Sequence, residues 1–410
     1  MEVLTYSTVA VTLGLVVARP RIGPRFRVTP AMAALAGVAV LAAFGSVRLG
    51  DLAWAGKTMW RPLLGIVAIM LMTGVARRVG VLDGLADVVF RRAEGSPKKL
   101  FTLVFAFGAL TAAVLNNDSA ILLVTPLVVA AAKKRHPTLV VPLAFAVFLS
   151  AGVAPLIVSN PMNMVVASYA GIGFNEYAAR MILPAIAGGL VTFAVIRFLF
   201  REALASAPKE VVTSAPPAKL TGSQRVVLVA LLAVVLAYPI VSWFGGPVWI
   251  VAAAGAALLV VLGARAGHKP SAVVREEVHF DVLLFLVAVL VLSVGLRNVG
   301  VVDHLTRAYA GAAPARVGML SAMGSAVLNN HPMANLNMLA LAGSADARAV
   351  LAALIGGDLG PRLFPMGSLA GLLWLEMLRR AGVVIPVRRF VFIGAAATIP
   401  TLVVCLAVLL

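Results

Sequence analysis

A chain of 410 residues that is 61% hydrophobic, with only 12% charged residues and a mean hydropathy of +1.02, is excluded from the soluble globular class, where charged residues run near about 25%. The net charge of +18 invites a nucleic-acid reading, but the basic residues sit in short clusters between apolar runs and read as topology signals. The single cysteine, Cys405, excludes an internal disulfide, a redox pair and any multi-thiolate metal site.

The first apolar run, residues 3–18, has an acidic front and no small-residue cleavage site before Arg19, which predicts a retained span and not a secretory leader. A basic segment, 19–27, leads to a second span at 30–47. The connector 48–61 carries Trp54 and Trp60, which suit a membrane interface, and a third span covers 62–79. After a basic stretch, 77–99, the run 100–132 is too long for one crossing of a hydrocarbon core of about 30 Å. It is broken at Asn116-Asn117-Asp118 and ends at Lys133-Lys134-Arg135, which predicts a re-entrant hairpin with its tip at 116–118. The next run, 139–169, is interrupted at 159–163, where Pro161 lacks an N–H and disfavours helix at the residue before it. A span at 180–200 then leads to the hydrophilic linker 201–225. The second half repeats the pattern with spans at 226–243, 247–264 and 280–296, and a hairpin at 315–342 with its tip at 329–331. A span at 347–378, interrupted at 356–361, and a last span at 391–410 complete it.

The fold predicted is an all-α polytopic membrane protein of two inverted repeats, 1–200 and 226–410, joined by a cytoplasmic linker at 201–225. Each repeat has five transmembrane helices plus one re-entrant hairpin, with broken helices at mid-membrane. Five crossings are an odd number, so the halves are inverted. With the N- and C-termini outside, 25 of the 34 Lys and Arg fall at cytoplasmic ends, a positive-inside bias.

The sequence's own symmetry marks a site. Ala113-Val-Leu-Asn-Asn-Asp118 returns as Ala326-Val-Leu-Asn-Asn-His331, changed only at the last residue. Polar groups left unsatisfied in lipid cost several kcal/mol each, and such breaks in both halves predict a solute site where two repeats meet, as in secondary transporters. Asp118 is the leading proton-coupling candidate, because an ionisable group inside a membrane is a functional hypothesis by default; it also suits a helix N-cap. Asp358 is the second intramembrane acid, with Arg362 four residues on, and a buried structural pair is the alternative. His331 holds the position equivalent to Asp118 and is the third proton-coupling candidate, with a satisfied core histidine as the alternative. Asn117, Asn160 and Asn330, with Ser159, are the polar groups expected to bind substrate; Asn116, Asn163 and Asn329 either join them or support the turns. No metal site, cofactor motif, phosphate loop or nucleophile elbow is present in the sequence.

The segments Leu115-Asn-Asn-Asp-Ser-Ala-Ile-Leu-Leu-Val-Thr-Pro126 and Gly357-Asp-Leu-Gly-Pro-Arg-Leu-Phe-Pro-Met-Gly-Ser-Leu-Ala370 resemble the ArsB arsenite exporters of the ion transporter superfamily. The second, followed by Leu372-Leu-Trp-Leu, is the more specific. The resemblance spans both halves and implies export of arsenite and antimonite across the inner (plasma) membrane by proton antiport, sometimes with a soluble arsenite-stimulated ATPase (ArsA) at the cytoplasmic side. Ser159-Asn-Pro is similar to the Ser-Asn-Thr signature of the dicarboxylate branch of that superfamily. His331 is a departure that bears on selectivity or coupling. Arsenite at neutral pH is largely uncharged As(OH)3, whose hydroxyls Asn and Asp side chains can meet, and Cys405 alone rules out tris-thiolate capture. In this reading Asn117, Asn160 and Asn330 hold the hydroxyls while Asp118 carries the proton. The competing readings are a Na+/H+ antiporter on the same fold, with Asp118 and Asp358 as cation ligands, and a passive metalloid channel.

Overall fold

The computed structural model describes residues 1–22, 26–207, 220–343 and 346–410; most of the predicted linker, 208–219, lies outside them. The described chain is helical apart from a two-residue antiparallel pair, Arg21–Ile22 with Phe26–Arg27. Among the described residues seven helices are long and apolar enough to cross a membrane by length and composition.

The first half opens with α1 (Glu2–Ala18) and α2 (Pro30–Ala43), an antiparallel pair tied at its far end by Thr5 and Ser46 hydroxyls 2.9 Å apart. Thr29 caps α2 by accepting from the Met32 N–H, with Pro30 in the first turn, where its missing N–H costs nothing. Next comes α3 (Leu49–Arg78), a single helix of 30 residues. The connector expected at 48–61 is therefore the first half of this helix, with Pro62 inside it. The amphipathic α4 (Val81–Arg92) follows the left-handed Gly80. The first hairpin is α5 (Pro97–Val114) and a return arm made of α6 (Asn117–Ser119), a π turn at Ala120–Val124 and α7 (Thr125–Arg135). The first broken crossing is α8 (Val140–Ser150) and α9 (Pro161–Tyr169), then α10 (Phe174–Leu199) and the short α11 (Arg201–Ser206).

The second half retraces this order. After α12 (Gly222–Trp243), α13 (Val248–Arg265) and α14 (Pro270–Glu277) comes α15 (Phe280–Asn298), then the amphipathic α16 (Val301–Tyr309) behind the left-handed Gly300. The second hairpin is α17 (Pro314–Leu328) and α18 (Asn330–Ala340). The second broken crossing is α19 (Ala347–Leu359) and α20 (Leu369–Arg380), and α21 (Val387–Leu409) ends the chain.

Charged contacts fix the directions. The C-terminal end of α3 meets the segment before α15, with Arg77 and Arg78 both on Glu277 at 2.5 and 2.7 Å and Arg78 on Glu276 at 2.5 Å. At the other end, Asn298 of α15 donates to Asp51 of α3 at 3.1 Å. Thus α3 and α15 run antiparallel and are pinned at both ends. The first hairpin enters from the face carrying Lys98, Lys133 and Arg197; the second enters from the opposite face, where Tyr309 donates to Asn337 at 2.6 Å. The two repeats are inverted.

The breaks lie a little away from their predicted places. The first interruption runs over 151–160 rather than 159–163, because Pro161 starts a helix whose cap is Asn160. In the second, α19 continues through Asp358 to Leu359, and the open stretch falls after the 3-10 turn Gly360–Arg362. At the hairpins, Asn116 and Asn329 are the caps, so Asn117 and Asn330 already open the return helices.

Asp358 and Arg362 do not pair with each other. Asp358 reaches into the first interruption and accepts from Ala154 N–H at 2.9 Å, Asn160 Nδ2 at 2.6 Å and Asn163 Nδ2 at 3.1 Å. Arg362 donates to the Leu149 carbonyl at 2.7 Å, near the end of α8. The acid therefore meets the Ala154 N–H within the interruption and the side-chain amides of the α9 cap and first turn, and the cation meets a carbonyl at the end of α8, a group that the helix end leaves without a partner. A buried donor without a partner costs about 1–3 kcal/mol. Asp358→Ala, which strands three donors, is expected to lower stability by about 3 kcal/mol or more, read as a fall of several degrees in melting temperature of the purified protein in detergent; an unchanged melting temperature would rule the clamp out.

The second hairpin packs along α19 through small residues, the usual currency of helix contacts in lipid. A Cβ on Gly356 would lie 2.1 Å from the Gly318 carbonyl oxygen, whereas one on Gly357 would meet nothing closer than 3.9 Å. Gly356→Ala should therefore reduce the yield of folded protein sharply and its neighbour Gly357→Ala should not. Equal yields in size-exclusion profiles would contradict this packing.

Candidate functional site

The hairpin tips and the broken crossings supply four places where helix ends stop inside the apolar interior. Most of their side chains are already committed. Asn117 donates to the Gly152 carbonyl at 3.0 Å, closing the first tip onto the first interruption, and Ser159 donates to the Ala113 carbonyl at 2.7 Å. Asn163 donates to the Tyr177 hydroxyl at 2.7 Å, and that hydroxyl donates to the Ala154 carbonyl at 3.0 Å. On the second side Asn329 donates to the Met366 carbonyl at 3.1 Å. Asn330 Oδ1 lies 2.6 Å from His331 Nδ1. An amide oxygen only accepts, so Nδ1 carries the proton and Nε2 is the ring's remaining acceptor in the neutral form.

A cavity of about 370 Å³ lies between this assembly and the α3–α15 frame. Its mouth is polar, with Arg19, Arg27, Thr29, Glu277, His279 and Asp281. At its depth are Asn116, Asp118, Ser119, Pro161, Phe285 and His331. The walls between are apolar, from Ile66, Ile69 and Met70 on α3, Leu122 and Leu123 on the first hairpin, and Leu369 and Leu373 on α20. Thus of the residues singled out in the sequence, Asn116, Asp118 and His331 line the cavity. Asn117, Ser159, Asn160, Asn163, Asn329, Asn330 and Asp358 are not among the lining residues.

Asp118 and Asp358 have opposite surroundings. Three donors hold Asp358, whereas Asp118, in the first turn of α6, has no hydrogen-bond or ion-pair partner among the described residues. Asn116 caps that turn by accepting from the Ser119 N–H at 2.7 Å, which frees the Asp118 side chain from capping. The π turn that follows is a rare form, often found where function requires it. His331, its counterpart from the other repeat, packs against the Phe285 ring with centroids 5.7 Å apart. The two inverted hairpins thereby bring an acid and an imidazole to one chamber.

Sequence reasoning missed Phe285, Thr73 and the mouth pair Thr29–Asp281, whose side chains bond at 2.7 Å. These sit on ordinary apolar or interfacial segments, and no local pattern marks them. Cys405 is buried, with Sγ 3.3 Å from the Pro184 carbonyl, and is not a lining residue of the cavity. Among the described residues no three of His, Cys, Asp and Glu are grouped as metal ligands.

The arsenical pump membrane protein family matches residues 7–410. An arsenical pump membrane protein of Escherichia coli K12 is 30% identical over 389 residues, covering 89% of each chain, and one of Yersinia enterocolitica is 28% identical over 99% of this chain and 98% of its own. An uncharacterized transporter of Mycobacterium tuberculosis is 27% identical over 91% of each chain. The crystal structure of the YdaH transporter of Alcanivorax borkumensis superposes with a TM-score of 0.60 at 16% identity, covering 100% of this chain and 97% of that one, a likeness of fold. Such transporters move solutes and are not enzymes. With the match running through both hairpins and both broken crossings, the chain belongs to the arsenical pump membrane protein family, ArsB.

Proposed function

We propose that this protein exports trivalent arsenic and antimony as their neutral hydroxides in exchange for protons. The observation that carries the reading is the unpartnered Asp118 at the depth of a cavity whose mouth opens among basic clusters. The basic face is cytoplasmic by the positive-inside rule, which puts both termini outside. The cavity is then the inward-facing entry. A soluble ATPase of the ArsA type, where the host has one, would meet the protein at this face.

As(OH)3 presents three hydroxyls, each a donor and an acceptor. Ionised Asp118 accepts one O–H, and the remaining hydroxyls find Asn116 and the free acceptor of His331 within the same chamber. A proton on Asp118 converts the carboxylate to a donor and removes its charge, so solute and proton compete for one group. Protonation from the outside releases the solute; loss of that proton inside restores binding. Competition of this kind is sufficient for antiport, because the carrier returns loaded with one or the other. Asn117, Ser159, Asn160, Asn163, Asn329 and Asn330 have a supporting part: they hold the half-helix ends that aim at the chamber, and Asp358 belongs with them. The two repeats, 1–200 and 226–410, then alternate in opening the chamber to either side.

Everted membrane vesicles with an imposed proton gradient test this directly. Arsenite uptake is expected to follow the gradient in the wild type and to vanish in Asp118→Asn. Sodium-driven proton movement without arsenite flux would replace the reading with a cation antiporter, and arsenite flux indifferent to both the gradient and the mutation would leave a channel.

The division between supporting and coupling residues has its own signature. Asn160→Ala removes a donor to Asp358 and a helix cap together and should cost about 2 kcal/mol of stability. Asp118→Asn, with no partner to lose, should melt with the wild type while failing to transport. Thermal unfolding of both variants beside their uptake rates checks this; the reverse order of melting would overturn the assignment.

A further inference from the structure

The chamber is too large and too apolar for its inorganic solute. A water molecule takes a share of about 30 Å³ in the liquid, so As(OH)3, three hydroxyls around one atom, fills a volume of order three to four waters. The cavity holds about 370 Å³. Apart from Thr73 on α3, its polar groups stand at the mouth and at the depth, and between them lies an apolar wall of Ile66, Ile69, Leu122, Leu123, Leu369 and Leu373. A cavity of a few hundred Å³ with apolar walls and a few convergent polar groups is the form of a site for an organic ligand. A neutral hydroxide alone would leave that wall wet.

Resting on the export reading above, we propose that the same site carries monosubstituted trivalent arsenicals, R–As(OH)2, with R an alkyl or aryl group. The two hydroxyls take the place of two of the three in As(OH)3 against Asp118, Asn116 and His331. The substituent lies along Leu122, Leu123 and Leu373 and displaces water from them. No covalent step is involved: the lone thiol, Cys405, is buried and does not line the cavity. Carriage of R–As(OH)2 is thus reversible for the same reason that carriage of As(OH)3 is. Affinity rises with the apolar size of R by about fourfold for each buried methylene-sized group, so a phenyl substituent gains well over about tenfold on the inorganic solute. Anionic pentavalent analogues, which place a charge opposite Asp118, are excluded.

Competition in proteoliposomes of the purified full-length protein tests this. Proton-driven arsenite uptake is measured against methylarsonous acid, phenylarsonous acid and the pentavalent phenylarsonic acid. The expected result is inhibition in the order phenyl, then methyl, with phenylarsonic acid inert. In Leu373→Ala the half-inhibiting concentration of the phenyl compound should rise several-fold while arsenite uptake itself changes less than about twofold, since one wall contact of roughly one to two methylene groups is lost. If Leu373→Ala does not fold, the methyl–phenyl order in the wild type decides alone. Arsenite uptake unaffected by either trivalent organic compound, or inhibition equal for methyl and phenyl, overturns the inference and leaves arsenite export standing. No arsenite uptake at all overturns the export reading on which it rests.

Discussion

A helix that stops inside a membrane leaves N–H and C=O groups without partners where no water can serve them. The whole inner assembly depends on how this is solved at the first interruption. Two charged residues from the other repeat take part: Asp358 takes the Ala154 N–H and also holds the side-chain amides of Asn160 and Asn163, while Arg362 takes the Leu149 carbonyl. Asn117 supplies the Gly152 carbonyl and Tyr177 the Ala154 carbonyl. The first half does not hold its own broken helix open alone, whereas the second break is met by Asn329 of its own half. The second repeat lends its charges to the first.

The two intramembrane acids accordingly stand in different surroundings. Asp358 is surrounded by donors that suit its ionised form and tie down both oxygens. Asp118 follows a cap that is already provided by Asn116. It is left facing a chamber. A group that exchanges protons and solute needs to be free of structural duty, and among the intramembrane acids that freedom belongs to Asp118.

The frame around the site is rigid for a related reason. Arg77 and Arg78 with Glu276 and Glu277 at one end, and Asn298 with Asp51 at the other, pin α3 against the α15 region at both faces. A second, aromatic seam joins the halves of the two broken crossings, with Trp374 stacked on Phe148 at 4.6 Å and Phe390 beside both. The chamber lies between frame and assembly.

What the sequence determined by itself was the class and the symmetry. Hydropathy, the basic clusters and the repeated hexapeptide at Ala113–Asp118 and Ala326–His331 imply a polytopic inverted repeat with polar tips, because lipid forces apolar length and backbone satisfaction to be written locally. The places where helices stop were legible to within several residues; Pro161 and Gly360 mark boundaries, but a cap such as Asn160 belongs to the helix it begins. What only the tertiary structure decided was the use of each polar group. An Asn at a break reads the same whether it binds solute or a carbonyl across the interface. Asp358 and Arg362, four residues apart, look like a pair until the other repeat offers them better-placed partners. The apolar wall from α3, the first hairpin and α20 has no sequence signature at all, because it is assembled from ordinary leucines and isoleucines that meet only when distant helices pack.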